Sequence, residues 1–328
     1  MNKVSLELGS GGKSMRDFLA GTILPAFDNP HLKKLQDACH LPGGIAFTTD
    51  SYVVDPIIFP GGDIGRLAVN GTVNDLVVSG AVPRFLSLGL IIEEGLDWDI
   101  LEKILVSIKK AAKAAGVQIV TGDTKVVKQG QADKIYINTA GIGKVIAGLR
   151  PKLIRPGDKI IVTGTLGEHS LAILTARGDF GLETKAKSDC APLAFLLPLW
   201  KKGVLWMRDI TRGGLATILS ELAAEAPYPL LIDEDQIPLS RSVRAAADLL
   251  GIDPLYLACE GRAVLVVPGK KAGEVLKKIQ GNPLGRKAAI IGQAGNKIGR
   301  PGELILKTSA GGLRLLEPLT SELLPRIC

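Results

Sequence analysis

The strongest pattern in the chain is an apolar stripe over residues 97–115, where Leu101, Ile104, Leu105, Ile108, Ala111 and Ala112 recur at helical spacing. Ahead of it, Ile45-Ala46-Phe47-Thr48-Thr49 alternates like a half-buried strand that leads into Asp50 and continues through Tyr52-Val53-Val54. After the turn Phe59-Pro60-Gly61-Gly62, an apolar-periodic run over 63–79 predicts a helix, and Phe85 to Ile92 predicts a buried strand. Two more strands are predicted at Val117–Thr121 and Ile135–Val145. Ser14 is placed to cap a short helix, with Asp17 at capping-box distance.

The turn-rich stretch 150–158 breaks the pattern and sets a domain boundary at 150. Beyond it, strand Lys159–Thr163 and helix Ser170–Ala176 are followed by predicted helices near 191–201, 213–225, 240–250 and 270–280. Strands near 204–208, 255–258, 262–267 and 288–293 interleave with them. Strands and helices alternate in both halves, so the fold class is α/β, with domains over 1–150 and 151–310. Residues 311–328 carry Gly and Pro without a long periodic face and are read as a mobile tail.

Composition narrows the function classes. With 328 residues and 46% hydrophobic content, each half is able to bury a core, which excludes a disordered or fibrous chain. The net charge of +7 is spread in Lys-Lys pairs and aromatics make up 4%, so the basic stripe with stacking aromatics of a nucleic-acid binder is missing. No apolar run approaches a membrane span and the N-terminus lacks a signal-peptide pattern. Cys39, Cys190, Cys259 and Cys328 show neither C-x-x-C nor metal-ligand spacing, which argues against structural zinc or a disulfide framework. A cytoplasmic, soluble and reduced protein follows.

Gly12-Lys13-Ser14 suggests a phosphate-binding loop, but that motif needs Gly where the chain has Glu7, and the reading fails. A better signal is the set Asp50, Asp75 and Asp123, each at the end of an apolar run or in a Gly/Asn-rich turn, with Asn74, Thr124 and Lys125 beside them. Hard oxygen donors in such places suit Mg²⁺ on a nucleotide polyphosphate; singly, each Asp reads equally as a cap or turn residue. Asp209 and Thr211 precede a helix start, where a cap or a phosphate site fits. Glu260, between two apolar strands, is either an ion-pair partner of Arg262 or a base with a shifted pKa. Cys259 reads as core packing, with a disulfide to Cys328 as the other option.

Several segments together carry a resemblance: residues 47–83 (FTTDSYVVDPIIFPGGDIGRLAVNGTVNDLVVSGAVP), 121–127 (TGDTKVV), 209–221 (DITRGGLATILSE), 257–262 (LACEGR) and the terminal PRIC. In order and over essentially the whole chain, they resemble the HypE carbamoyl dehydratases of hydrogenase maturation. That family belongs to the superfamily of aminoimidazole-ribonucleotide synthetase and selenophosphate synthetase. The resemblance implies an N-terminal domain that pairs across a homodimer into a β-barrel, a C-terminal α/β domain, and bound ATP with Mg²⁺. It implies that Cys328 receives a carbamoyl group from the carbamoyltransferase HypF. ATP-driven dehydration then turns the S-carboxamide into an S-cyanate, which passes to a HypC–HypD scaffold complex as a ligand for the [NiFe]-hydrogenase active site. Carried over by motif, Asp50, Asp75 and Asp123 become metal and ATP residues with Asn74 and Thr124, Glu260 the base, and Lys125 a charge stabiliser. The chain departs from the family at Gly167-Glu168-His169, where a second His is expected in place of Glu168, and at Ile210, where a small residue is expected. Arg326 is expected to offset the terminal carboxylate beside the thiol. Two other readings stand beside this one: another ATP-using synthetase or kinase of the superfamily acting on a free small molecule, and a nucleotide-dependent assembly factor without catalysis.

Overall fold

The computed structural model describes residues 3–9, 11–181, 184–295, 298–320, 324 and 326–328. The first half is built on a five-stranded sheet of β1 (Cys39–Leu41), β2 (Ile45–Tyr52), β3 (Ala81–Glu93), β4 (Gln118–Val127) and β5 (Ile135–Val145). Their order is β1-β2-β5-β3-β4; every pairing is antiparallel except β3 with β4. Two helices pack on one face, α1 (Ile64–Val78) and α2 (Trp98–Ala115).

These helices form for different reasons. In α2, Asp97 caps the first turn by accepting from the Asp99 amide (2.8 Å), Gly116 ends the last at φ 71°, and Ile104, Ile108, Ala111 and Ala112 make one buried stripe. In α1, Asp63 caps by accepting from the Arg66 amide (2.8 Å), and burial runs almost all the way round the helix. A helix apolar on every side needs cover on every side. The first sheet supplies one part of it and the second half of the chain the rest.

That second half carries a seven-stranded sheet of β6 (Lys159–Val162), β7 (Trp206–Asp209), β8 (Leu230–Asp233), β9 (Ala263–Val267), β10 (Ala289–Ala294), β11 (Leu304–Lys307) and β12 (Leu313–Leu316), in the order β12-β11-β8-β10-β6-β9-β7. Its helices are α3 (Glu168–Arg177), α4 (Gly214–Glu225), α5 (Arg241–Leu250) and α6 (Ala272–Gln280). Strand β9 shows why a continuous apolar run here means two cores. Ala263, Leu265 and Val267 point into the core shared with α1, while Val264 and Val266 point into a second core against α4. Residues 146–158 separate the two sheets.

Four expectations change. The strand predicted to end at Thr121 runs on to Val127, so Asp123, Thr124 and Lys125 lie inside β4 and not in a turn after it. Residues 255–258 form no strand; a 3-10 turn covers Pro254–Tyr256. Residues 194–202 form 3-10 turns around Pro198 and not an α-helix. The stretch from 311 does not begin as a tail: Leu313–Leu316 pairs antiparallel with β11 at the sheet edge. Residues 321–323 and 325 of the expected tail lie outside the described residues, and the last three residues are docked against the body. No helix among the described residues is long and apolar enough to cross a membrane.

Candidate active site

Strand β2 aims alternate side chains toward α1, so Thr48, Asp50 and Tyr52 share its inner face. Helix α1 brings Asp75 to meet them: Thr48 Oγ1 donates to Asp75 Oδ2 (2.9 Å) and to the Asp37 carbonyl (2.7 Å). The C-terminal end of β7 contributes Asp209. One ligand oxygen each from Asp37, Asp75 and Asp209 lie within 4.8 Å of one another.

Packing carboxylates this closely in a buried place disfavours their charged forms. Burial, with Asp209, Asp37 and Asp50 nearby, raises Asp75 well above the usual carboxylate range. Burial and Asp37 push Asp209 up to about 8, against the pull of Arg208. Asp50 is raised by burial, with Arg212 the largest opposing influence. The nearest cation to the cluster, Arg208, is already engaged, its Nε on Asp37 (2.8 Å) and its Nη1 on Glu221 (2.6 Å). A half-buried to buried set of hard oxygen donors, in which burial and neighbouring acids raise Asp75 and Asp209, fits an oxygen-seeking divalent cation.

Glu260 stands at the entry to β9. It is 4% exposed, its Oε1 has no hydrogen-bond partner, and burial with Asp209, Asp189 and Asp50 raises it well above the usual range. The alternative reading as the partner of Arg262 fails, because the Arg262 Nε faces Asp189 (3.5 Å) and donates to the Thr165 carbonyl. Glu260 is held through its main chain: its amide donates to Asp189 Oδ1 (3.0 Å), and a Cβ at Gly261 would collide with the Asp189 carbonyl oxygen. An unpartnered acceptor with a raised pKa, facing a cluster of like charge, is equipped to take a proton.

The end of the chain closes the site. Cys328 and Arg326 run antiparallel to Val53–Asp55, with the Val53 amide donating to Cys328 and the Asp55 amide to the Arg326 carbonyl (3.2 Å each). The Ile327 side chain is 4% exposed and belongs to the shared core. Arg212 is the cation that feels the last residue: charge at Cys328 is the largest influence raising it, followed, apart from burial, by Asp50 and Glu260. The cysteine, the base candidate and the acids thus occupy one electrostatic neighbourhood. Arg326, expected in the role of Arg212, instead donates from Nε to the Val53 carbonyl (2.9 Å) and from Nη1 to Asp133 (2.7 Å).

The structure therefore brings together Asp50, Asp75, Glu260 and Cys328 and does not bring Asp123, Thr124 and Lys125 to them within one chain. Those three sit on the fully exposed length of β4, where Lys125 pairs with Asp123 (2.9 Å) and both side chains are about two-thirds exposed. The groups that shift Asp123 are Lys125 and the Thr124 amide, none of them from the buried cluster. Asn74 is fully occupied by protein: its Nδ2 donates to the Ala191 and Glu260 carbonyls and its Oδ1 accepts from Leu193. Cys259 is a free, buried thiol that accepts from the Gly167 amide (3.2 Å). Asp37, Arg212 and His169 escaped the sequence reading. Arg212 and His169 left local traces, in the Asp-Ile-Thr-Arg-Gly-Gly turn and in Gly167-Glu168-His169, and neither trace named a role.

Residues 36–145 match the AIR synthase related protein N-terminal domain, and residues 155–299 the C-terminal domain of the same family. Carbamoyl dehydratase HypE of Rhodobacter capsulatus is 44% identical over 99% of this chain and 98% of its own length. A crystal structure of HypE in complex with ATP is 45% identical, with a TM-score of 0.83 over 99% of this chain and 100% of that one. A crystal structure of a HypE–HypF complex is 39% identical, with a TM-score of 0.87 over 92% and 99%.

Proposed function

The chain belongs to the HypE family of AIR synthase related proteins, and on that premise we propose that it is an ATP-dependent carbamoyl dehydratase whose substrate is carried on Cys328. The observation that carries this reading is the docked terminus: the last residue sits beside Arg212, in the same field as Asp50 and the unpartnered Glu260. Main-chain bonds to Val53 and Asp55 and the buried Ile327 hold the last residue there.

The chemistry follows from the groups present. The oxygen of an S-carboxamide is a poor leaving group, so ATP phosphorylates it: the new O–P bond forms, the β–γ bridge of ATP breaks, ADP leaves, and one N–H proton is lost. Departure of phosphate with the second N–H proton leaves the S-cyanate. Glu260 is placed to accept these protons, and burial beside like charges, which raises its pKa, makes it a stronger base than a free carboxylate. Arg212 faces negative charge that develops at the carried group. Asp37, Asp75 and Asp209, with Asp50 beside them, would hold Mg²⁺, which when bound neutralises the phosphate charge. HypF as the carbamoyl donor and a HypC–HypD complex as the acceptor complete the proposed sequence.

A homodimer is supported by the uncovered face of the first sheet. Phe47 and Phe85 both pair in register with Ile142, and all three are exposed at 40–43%. Ile91 on β3 adds to the apolar surface of that face, at 43% exposure. A stripe of that kind needs a partner, and a second copy with the same stripe closes it into a barrel. Under this reading Asp123, Thr124 and Lys125 act at the subunit boundary.

The test is intact-mass measurement of the HypF-loaded protein after adding ATP. Cys328 should gain a carbamoyl group in place of hydrogen and then lose one water. Glu260→Gln should load normally and dehydrate about 10² to 10⁴ times more slowly. Water loss that persists after deletion of Cys328 would refute the proposal.

A further inference from the structure

We propose that Arg177 and Asp133, acting through Arg326 and aided by His169, form a latch that seats the carrier tail by its main chain, so that one docked pose serves the thiol, the carboxamide and the cyanate. The proposal rests on Cys328 being the carrier.

The grip comes from three directions. Arg177, the last residue of α3, donates from Nε to the Asp55 carbonyl and from Nη2 to the Arg326 carbonyl (2.6 Å each), so one planar guanidinium bridges the body and the tail. His169, in the first turn of the same helix, lies 2.7 Å from the Ile327 carbonyl through Nε2. A carbonyl only accepts, so Nε2 carries the proton, and Nδ1 accepts from Ser188 Oγ (2.8 Å). Arg326 itself reaches back to the Val53 carbonyl and to Asp133. Its φ of 52° is unusual for a residue with a side chain and is held by contacts on both its carbonyl and its guanidinium.

Every one of these groups reads a carbonyl of the tail or the Arg326 side chain; none of these bonds involves the sulfur or what it carries. The latch is therefore indifferent to the chemical state of Cys328, as a carrier that must dock before the reaction and stay docked through it requires. It also conflicts with loading, because a donor enzyme has to reach the same sulfur with the tail released. Arg177 and Asp133 are thus positioning residues whose loss should separate the two half-reactions.

The experiment compares Arg177→Met, Arg177→Lys and Asp133→Ala with the wild type, full length in each case. Asp133 has a side chain 36% exposed, and its substitution leaves the core untouched. Three rates are followed: carbamoyl loading by the donor, ATP-driven loss of water from the loaded protein, and alkylation of the free Cys328 thiol by iodoacetamide. Losing a charge-assisted hydrogen bond corresponds to a factor of about ten or more, so Arg177→Met should slow the water-loss step at least that much. Loading should stay level or rise, and alkylation should quicken. Arg177→Lys, which reaches one carbonyl and not two, should fall between, and Asp133→Ala should show the same pattern more weakly. Unchanged water loss in both Arg177→Met and Asp133→Ala overturns the latch, and so does an equal drop in loading, which would mark a general structural role. If wild-type protein never loses water, the carrier reading fails by itself. Alkylation then decides alone: faster labelling in Arg177→Met supports a seated tail, and equal labelling refutes it.

Discussion

Removing divalent cations should make this protein less stable as pH rises, and Asp209→Asn should remove about one proton's worth of that dependence. A carboxyl whose folded pKa is raised binds its proton more tightly in the folded chain. Its stabilising effect is complete below the unfolded value and is lost as pH climbs through the folded one. For Asp209 the two ends of that window are 3.8 and about 8. His169 acts in the opposite sense: burial lowers its pKa from 6.5, so it adds stability as pH rises toward 6.5 and nothing beyond. Asp133 is held below 3.8 by Arg326, so its dependence lies at lower pH. The clean interval is therefore pH 6.5 to 8. One extra proton kept by the folded state over that span is worth about 2 kcal/mol of lost stability, at about 1.4 kcal/mol per pH unit. Asp75 and Glu260 shift in the same direction and can only steepen the slope.

The assay is urea unfolding in EDTA at four pH values across this interval, repeated in millimolar Mg²⁺. In chelator the unfolding free energy should fall with pH, with a slope of at least one proton, and Asp209→Asn should reduce the slope by nearly one. A cation that binds only the folded chain replaces the missing protons, so the slope should flatten and the midpoint rise with Mg²⁺. A wild-type curve that is flat in EDTA would show that the acids are not compressed, and the case for a cation site would go with it.

Two other outcomes can be checked directly. Phe85→Asp, on the exposed apolar stripe, should convert the assembled species to a monomer in light scattering; if β4 acts across the boundary, Lys125→Ala mixed with Glu260→Gln should then regain part of the activity that each lacks alone, which the Phe85→Asp background should abolish. Gly261→Ala should lower stability by about 1–3 kcal/mol, measured by urea unfolding, because the new methyl meets a main-chain carbonyl that has no rotamer to yield.

What could be read from the sequence divides along a physical line. Elements whose pattern is local were legible: α2 with its stripe, and β2 with its alternation. Asp75 and Glu260 were legible too, since a carboxylate inside an apolar run must answer for its burial. Asp123 was misplaced because Gly122-Asp123-Thr124 has the chemistry of a turn, while the pairing of β4 along β3 from Gln118 to Val127 holds it extended. Strands β11 and β12 are four residues each between Gly and Pro, too short for a period to show. Asp37 and Arg177 carry no local mark at all, and His169 carried one, the Gly167-Glu168-His169 segment, that named no role. Asp37 meets Arg208 171 positions away, and His169 meets the Ile327 carbonyl across 158.

On the proposed reading, these distant partners also explain how one chain can hold both an enzyme and its substrate. The acids come from the bend before β1, from α1 and from the end of β7, the proposed base from the bend before β9, and the grip on the tail from α3. All converge because α1 is buried on every side and fixes the two halves against each other. A substrate on the chain's own end then needs no affinity of its own, only a seat that holds it and lets it go. The seat is made of hydrogen bonds to carbonyls, one half-exposed ion pair and one buried isoleucine, roughly 1.5–3 kcal/mol for the side chain, an anchor weak enough to open for a donor. Under the proposed mechanism the strong interactions lie elsewhere, at the acids, where they would serve the phosphate chemistry and would have nothing to act on if the tail were not already in place.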